Sequence, residues 1–373
     1  MGEVTVVGAD DGKKLRQFIE FPYQLYRGDP YWVPPLRMAQ RDLLDKGKHP
    51  FYKHAEMQCF LAVDGARVIG RVAAILDRSQ FSQDQVGFFG FLEMIDSEPV
   101  ANALLRAAWD WLRGRGAKLM RGPVNPSTNY ECGLLVDGFD SSPFVMMTYN
   151  PRYYSGLVER AGLKKAKDLL AYVTTAAATD GERARKVAEY QVLKSKVVIR
   201  PVNLKKFEAE VGSIWSIYSS AWSQNWGFAP LTQDEFQLMA KDMKMILAPE
   251  FALIGEINGR PVGFALALPD INRALKPAGG SLFPLGFIKI LYHKRRIKTL
   301  RVMALGVIEE YRSTGVAAGF YATLIRQAQK LGYGECEFSW VLEDNILMNR
   351  SIESLGARRY KTYRLYEGTY HYA

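Results

Sequence analysis

Apolar residues in this chain fall into two patterns: short continuous or alternating runs, and longer stretches with apolar positions three or four apart. In the first half the runs at 4–7, 58–63, 67–76, 86–94, 118–121 and 168–175 predict strands. The pair at 58–63 and 67–76 is joined across Asp64-Gly65, a two-residue hairpin signal. Helical spacing covers 13–26, stopped by Gly28-Asp29-Pro30, and 99–113, where Asp96 and Glu98 precede a first-turn Pro99. A long loop, 122–147, separates the strand at 118–121 from a short helix ending at Gly162.

The second half repeats that order. Residues 197–201 predict a strand, 204–221 a helix, and 232–247 a second helix, with Thr232 and Glu235 spaced as a capping box. A hairpin follows at 251–256 and 261–268 across Asn258-Gly259, then an apolar run at 302–307. Val316, Phe320, Leu324, Ala328 and Leu331 mark one face of the next helix. A strand at 335–341, a helix at 348–355 and a strand at 360–367 close the chain. Between the halves, 177–194 turns polar at helical spacing and reads as a connecting helix. The expected organisation is α/β, with domains at 1–176 and 196–373 and a connector at 177–195.

Bulk properties narrow the class. A chain of 373 residues with 48% hydrophobic residues can build more than one core. The start lacks a basic segment followed by an apolar one, and no apolar run approaches the roughly 20 residues that span a bilayer. Cys59, Cys132 and Cys336 are scattered, as in a reducing compartment, so a cytoplasmic protein is expected. A formal charge of +10 favours anionic partners. His49, His54, His293 and His371 show no metal-ligand spacing, and no GxSxG or Walker loop occurs, so no metal is expected.

The chemistry concentrates at 302–331. A strand, then Arg312-Ser-Thr-Gly315-Val316-Ala317, then a helix, aims free backbone N–H groups and the positive end of a helix dipole at one spot. Gly315 permits close approach of the main chain, Ala317 leaves room, and Arg312 supplies a cation. This loop resembles the pyrophosphate-binding signature of the GNAT family of acyl-CoA-dependent acyltransferases. The segment from Asn345 through Asn349 to Gly356-Ala357 resembles the second CoA-contacting segment of that family, and the element order of 196–370 resembles a complete GNAT domain. The resemblance implies a thioester carbonyl held by backbone N–H groups near Leu305 and Val307, with Val316, Asn345 and Asn349 also at the cofactor. Ile352 stands where many members carry a general-acid Tyr, so that acid is either missing or supplied from elsewhere, with Tyr360 and Tyr363 as the candidates. Glu343, just after the strand at 335–341, is a candidate base for the amine proton.

The first half resembles a degenerate copy. Its counterpart turn, Glu93 to Pro99, has no Gly and places acids at the helix start, where they repel a pyrophosphate. That leaves it a substrate-shaping role, with Asn125, Asn129 and a second candidate base, Glu131, on the long polar loop. Trp222, Asn225 and Trp226 lie where GNAT acceptors usually enter. Ahead of the strand at 302–307, the apolar decad 282–291 is followed by five Lys/Arg within 292–301. Such a segment suits peripheral contact with an anionic membrane, at the inner face of the cell membrane. It lacks the interleaved aromatics of a nucleic-acid platform, so no nucleic-acid partner is expected.

Over most of its length the chain is similar to a bacterial tandem-GNAT family that includes the ceramide synthases and has also been labelled dATP pyrophosphohydrolase; no nucleotide-hydrolase motif supports that label. The likeness rests on GFFGFLEMID, RGPVNPSTNYECGLLVDGFD, NWGFAPL, MALGVIEEYRSTGVA and SWVLEDNILMNR. It implies an α/β (α+β) fold of two tandem GNAT-like domains, each a mixed, mostly antiparallel sheet flanked by helices. It also implies an acyl donor, on CoA or an acyl carrier protein, and a sphingoid-type lipid amine as acceptor. Two alternatives stay open: N-acetylation of a small amine or protein, and a non-catalytic CoA-binding or membrane-associated scaffold.

Overall fold

The computed structural model describes residues 3–176 and 196–369, with the isolated positions 186 and 190. The expected connecting helix at 177–194 lies outside the described residues apart from those two positions.

The first series of elements is β1 (Thr5–Gly8), α1 (Gly12–Leu25), α2 (Arg37–Leu44), β2 (Ala55–Asp64), β3 (Arg67–Asp77), α3 (Arg78–Asp84), β4 (Val86–Met94) and α4 (Glu98–Arg113). It continues with β5 (Leu119–Gly122), β6 (Val124–Asn125), β7 (Glu131–Cys132), β8 (Leu134–Asp137), α5 (Tyr153–Arg160) and β9 (Lys164–Thr175). The second series is β10 (Val198–Pro201), α6 (Phe207–Trp222), α7 (Gln233–Lys244), β11 (Ala252–Ile257), β12 (Arg260–Pro269), α8 (Asn272–Ala278) and α9 (Gly286–Lys294). Then come β13 (Thr299–Val307), α10 (Val316–Lys330), β14 (Glu335–Leu342), α11 (Ile346–Ser354) and β15 (Arg358–Gly368). Strand, two helices, three strands, helix, strand, helix, strand therefore occurs twice, with α2 of the first series not predicted by the sequence pattern. Helices α3, α8 and α9 are additions to that order.

Local chemistry accounts for the boundaries. Asp11 caps α1 by accepting the Lys14 N–H at 2.8 Å. Thr232 and Glu235 form the reciprocal capping box at the start of α7. Asn258 and Gly259 take φ of 51° and 76°, the left-handed pair that a tight hairpin between β11 and β12 requires.

Packing divides the chain into two compact units, one of Met1–Leu169, Leu275–Ile290 and Lys361–Ala373, the other of Leu170–Ala274 and Leu291–Tyr360. In the first unit the strand order is β1-β2-β3-β4-β5-β15, with β8 also beside β15. β4 and β5 run parallel there, and their pairing stops after Val86↔Leu119 to Phe88↔Arg121. Its core packs Val100, Leu104, Leu105, Ala108 and Leu112 of α4, all wholly buried, onto the sheet. In the second unit the order is β14-β13-β12-β11-β10, with β9 beside β14. Here β13 and β14 are the parallel pair. Val316, Phe320 and Leu324 of α10 face Val302, Val307 and Phe338 in that unit's core. Burying a side chain the size of Phe320 contributes about 1.5–3 kcal/mol. The last strand, which the sequence order assigns to the second half, thus lies from Lys361 onward in the sheet of the first unit.

Candidate active site

β13 ends at Val307, and Glu309–Thr314 forms a short 3-10 helix that delivers Gly315 at φ 86°. That left-handed conformation is where a glycine is needed. α10 then begins at Val316 with no side chain capping it. By helical geometry its first N–H groups have no carbonyl partner within the helix, so Gly315, Val316 and Ala317 present a cluster of donors at the positive end of the dipole. Arg312 stands beside them, its guanidinium donating to the carbonyls of Ala221 at 2.9 Å and Val307 at 3.4 Å. It therefore ties the turn to the end of α6 while keeping its charge at the helix start. Glu309 and Glu310 are exposed, and Glu310 reaches Arg260 at 3.6 Å on the surface.

Beside this turn the sheet opens. β13 pairs with β14 only from Thr299↔Glu335 to Val302↔Phe338. On its other side, Leu266 pairs with Ala304 and Ala267 with Val302, so Met303 is bulged out of register. From Met303 to Val307, a run of about 13 Å at strand rise, the β14-side edge of β13 carries no ladder. Leu305 and Val307 lie on that edge, with their side chains against the α10 core. A slot with one exposed strand edge and an anion-binding turn at its end can accept an extended amide chain tipped by a diphosphate.

The opposite face of β13 is built for a flat group. Gly306 lies directly under Trp222: a Cβ there would sit 2.2 Å from the indole. Trp222 stacks on Tyr218 with ring centroids 5.1 Å apart and leans on Phe264 at 5.6 Å. Asn225 is exposed in the turn that follows, where its N–H bonds the Trp222 carbonyl, and Trp226 is half-buried.

The same face carries a buried polar cluster at the point where the strands part. Glu337 is fully buried, and Tyr360 donates to it at 2.5 Å and Ser339 at 3.0 Å. Arg301, also buried, lies 3.6 Å from the carboxylate and donates to Ser339 Oγ at 3.0 Å. Burial pushes the Glu337 carboxyl up to about 7, with Arg301 and the two hydroxyl donors opposing the rise. Sequence reasoning missed Glu337, because alternation along Glu335-Cys-Glu337-Phe-Ser339 reads as the wet face of a strand. Of the acids and bases named from sequence, Tyr360 is the one the fold brings to this cluster. Glu343 is half-buried in the turn after β14.

Two asparagines expected at the cofactor are occupied locally. Asn345 caps α11 by accepting the Met348 N–H. Asn349 is buried, donates to the carbonyls of Leu342 and Glu343, and accepts from Tyr172 at 3.0 Å. It fastens α11 to the end of β14 and has no donor left for a ligand. Ile352 is core.

In the first unit the equivalent opening is filled by the chain itself. After Gly122, the segment through Asn125 turns back over β4. A Cβ on Gly90 would lie 1.6 Å from the Val124 carbonyl oxygen, and Asn125 Oδ1 accepts the Phe91 N–H at 2.6 Å. Asn125 is thus a clasp in the place where a donor would lie. Asn129 and Glu131 belong to the loop and short strand that follow. Nearby, Glu93 is half-buried and accepts from Tyr26 and Tyr154 at 2.6 and 2.8 Å, with its carboxyl raised by desolvation.

The profile of the acetyltransferase (GNAT) family matches residues 211–357. The chain is 37% identical over 374 residues to the bacterial ceramide synthase of Caulobacter vibrioides (strain NA1000 / CB15N), covering 98% of this chain and 97% of that protein. It is 36% identical over 362 residues to protein YghO of Escherichia coli (strain K12), covering 95% and 92%. Among solved structures, a tandem GNAT protein from the clavulanic acid biosynthesis pathway aligns over 100% of both chains with a TM-score of 0.57 at 10% identity. The glucosamine N-acetyltransferase region of a fungal β-N-acetylglucosaminidase aligns over 99% of this chain and 38% of that one, with a TM-score of 0.60 at 12% identity. At such identities these two likenesses show the fold.

Proposed function

The chain is an N-acyltransferase belonging to the tandem-GNAT family that includes the bacterial ceramide synthases, and from that premise we propose that it moves a long-chain acyl group from a CoA-type thioester to a sphingoid-type lipid amine. The observation that carries this reading is the open β13–β14 slot beside the uncapped start of α10, in contrast to the sealed slot of the first unit. The diphosphate rests on the N–H groups of Gly315 to Ala317, and the pantetheine arm runs down the free edge of β13. The thioester then lies near the bulge at Met303, with the amine arriving from the Trp222 face.

Chemically, the amine nitrogen attacks the thioester carbon, a C–N bond forms and the C–S bond breaks. Tyr360 takes the amine proton as its own phenolic proton passes to the Glu337 carboxylate. The reverse transfer protonates the leaving thiolate, so one pair serves as base and acid. A folded-state value near 7 leaves both forms of Glu337 available at neutral pH.

The lipid acceptor is supported by α9 and its approach. Phe283, Leu285, Phe287, Ile288, Leu291 and Tyr292 are all about half exposed or more, up to 81% for Phe283. Lys289, Lys294, Arg295, Arg296 and Lys298 are exposed beside them. An apolar stripe with this basic fringe fits the interface of an anionic bilayer. No helix among the described residues is long and apolar enough to cross a membrane.

The test is a calorimetric titration with CoA and palmitoyl-CoA, paired with a thiol-release assay on a sphingoid amine. Ala318→Glu places an acid in the first turn of α10, as Glu98 does in α4; it is expected to leave the fold intact and weaken CoA binding at least tenfold. Equal CoA binding by the variant, or acetyl-CoA outperforming palmitoyl-CoA in thiol release, overturns the reading.

A further inference from the structure

On the α10 side of the second unit's sheet, a cavity of about 60 Å³ lies between the strands and the second half of α10. One water needs ~10–15 Å³, so the space is several waters large. Its wall is formed chiefly by Val302, Phe338, Tyr321, Leu324, Ala328 and Cys336. Burial pushes the Cys336 thiol up to about 12, so it lines the wall as a neutral, unreactive group. Tyr321 sends its hydroxyl to Met348 Sδ at 3.1 Å and packs its ring against Phe338 with centroids 6.1 Å apart. Water in such a space finds few partners, and an apolar occupant is favoured.

The position of the cavity matters as much as its lining. Val302 and Phe338 are the last residues paired before β13 and β14 part, and both are wall residues. The inner end of the cavity therefore begins where the donor slot closes. Ala328 and the neighbouring Tyr333 lie toward the far end, one turn or more along α10 from Leu324.

We propose that this cavity receives the tail of the donor's acyl chain, and that side-chain size at its far end sets the chain length accepted. The proposal rests on the acyl-thioester reading of the β13–β14 slot and adds to it where the hydrocarbon goes. Each methylene buried there contributes about fourfold in affinity, from the usual transfer free energy of a CH₂.

The experiment measures dissociation constants of the full chain for CoA, octanoyl-CoA and palmitoyl-CoA, in the wild type and in Ala328→Phe. The expected result is unchanged CoA affinity and at least a tenfold loss for palmitoyl-CoA, with octanoyl-CoA affected less. Hydrogen–deuterium exchange on the wild type supplies a reading that needs no variant. Palmitoyl-CoA should protect residues 321–330 and 334–338 beyond the protection given by CoA. Equal protection by the two ligands, or loss of palmitoyl-CoA affinity no greater than that of CoA, overturns the tail assignment while leaving the donor slot standing. Failure of the wild type to bind CoA at all would instead remove the donor-slot reading.

Discussion

Replacing Glu337 by Gln separates what the buried carboxyl does for stability from what it does for catalysis. In the folded protein the carboxyl is raised from 4.5 to about 7 by burial. A raised folded-state value favours the protonated form. The contribution of Glu337 to stability is therefore fully present below pH 4.5, and it is lost as the pH rises through about 7. A rise of that size corresponds to about 3 kcal/mol across the window, from the linkage constant of 1.36 kcal/mol per unit. Gln has nothing to ionise. Urea unfolding at closely spaced pH values should show the wild type losing about 3 kcal/mol more than Glu337→Gln between pH 4.5 and 8. Any constant offset between the two reflects the hydrogen bonds from Tyr360 and Ser339 and the ion pair with Arg301, so the slope is the quantity that decides. The same variant lacks the proton sink, and its turnover should fall by about 10²–10⁴, while wild-type turnover rises with pH through about 7. Parallel stability curves would refute the assignment of a displaced titration to Glu337. Wild-type turnover in the variant would refute its part in proton transfer.

Gly306→Ala places a methyl 2.2 Å from Trp222, which must shift; the expected cost is about 1–3 kcal/mol, with a raised KM for the amine and unchanged CoA affinity in calorimetry. Phe287→Asp combined with Ile288→Asp should release the protein from anionic vesicles in flotation, by about a hundredfold for two lost apolar anchors, whereas retained flotation would sink the membrane-face reading. Asn125→Ala leaves the Phe91 N–H without its 2.6 Å partner and should lower stability by about 1–3 kcal/mol, measured by chemical denaturation, with the CoA dissociation constant unaltered.

What the sequence reveals follows the range of the interactions involved. Period and turn chemistry are local, so the two strand–helix series, the capping box at Thr232, the Asn258-Gly259 hairpin and the Gly315 turn could all be read directly. Helix α2 is only eight residues long and follows the Pro-rich stretch 30–35, α8 contains Pro277, and the approach to α9 is apolar on every side; none offers a sustained helical period. Glu337 alternates with apolar neighbours as a solvent-facing residue would. Its burial depends on Arg301 and Tyr360, distant in sequence. Asn349 matches the expected motif position, yet its amide serves Leu342, Glu343 and Tyr172, partners that only the fold identifies. The membership of β15 in the first unit's sheet from Lys361 onward is likewise a matter of long-range register, since its alternating pattern would suit either sheet.

The two units show how little of a shared fold decides which one can bind a donor. Each has a parallel strand pair that runs together briefly and then parts, and each follows the inner strand of that pair with a helix. In the first unit the chain after Gly122 occupies the gap, and this requires glycine at position 90, where any side chain would strike Val124. Its helix starts with Glu98, whose carboxylate stabilises the dipole and opposes a second negative charge. In the second unit β14 runs on to Leu342 with its β13-side edge open beyond Phe338, and α10 starts behind a left-handed glycine with no acid in its first turn. Filling one slot and acidifying one helix start are separable changes. Ala318→Glu imitates the second alone, so loss of CoA binding in that variant would show that charge at the helix start is sufficient to exclude the donor even where the slot stays open.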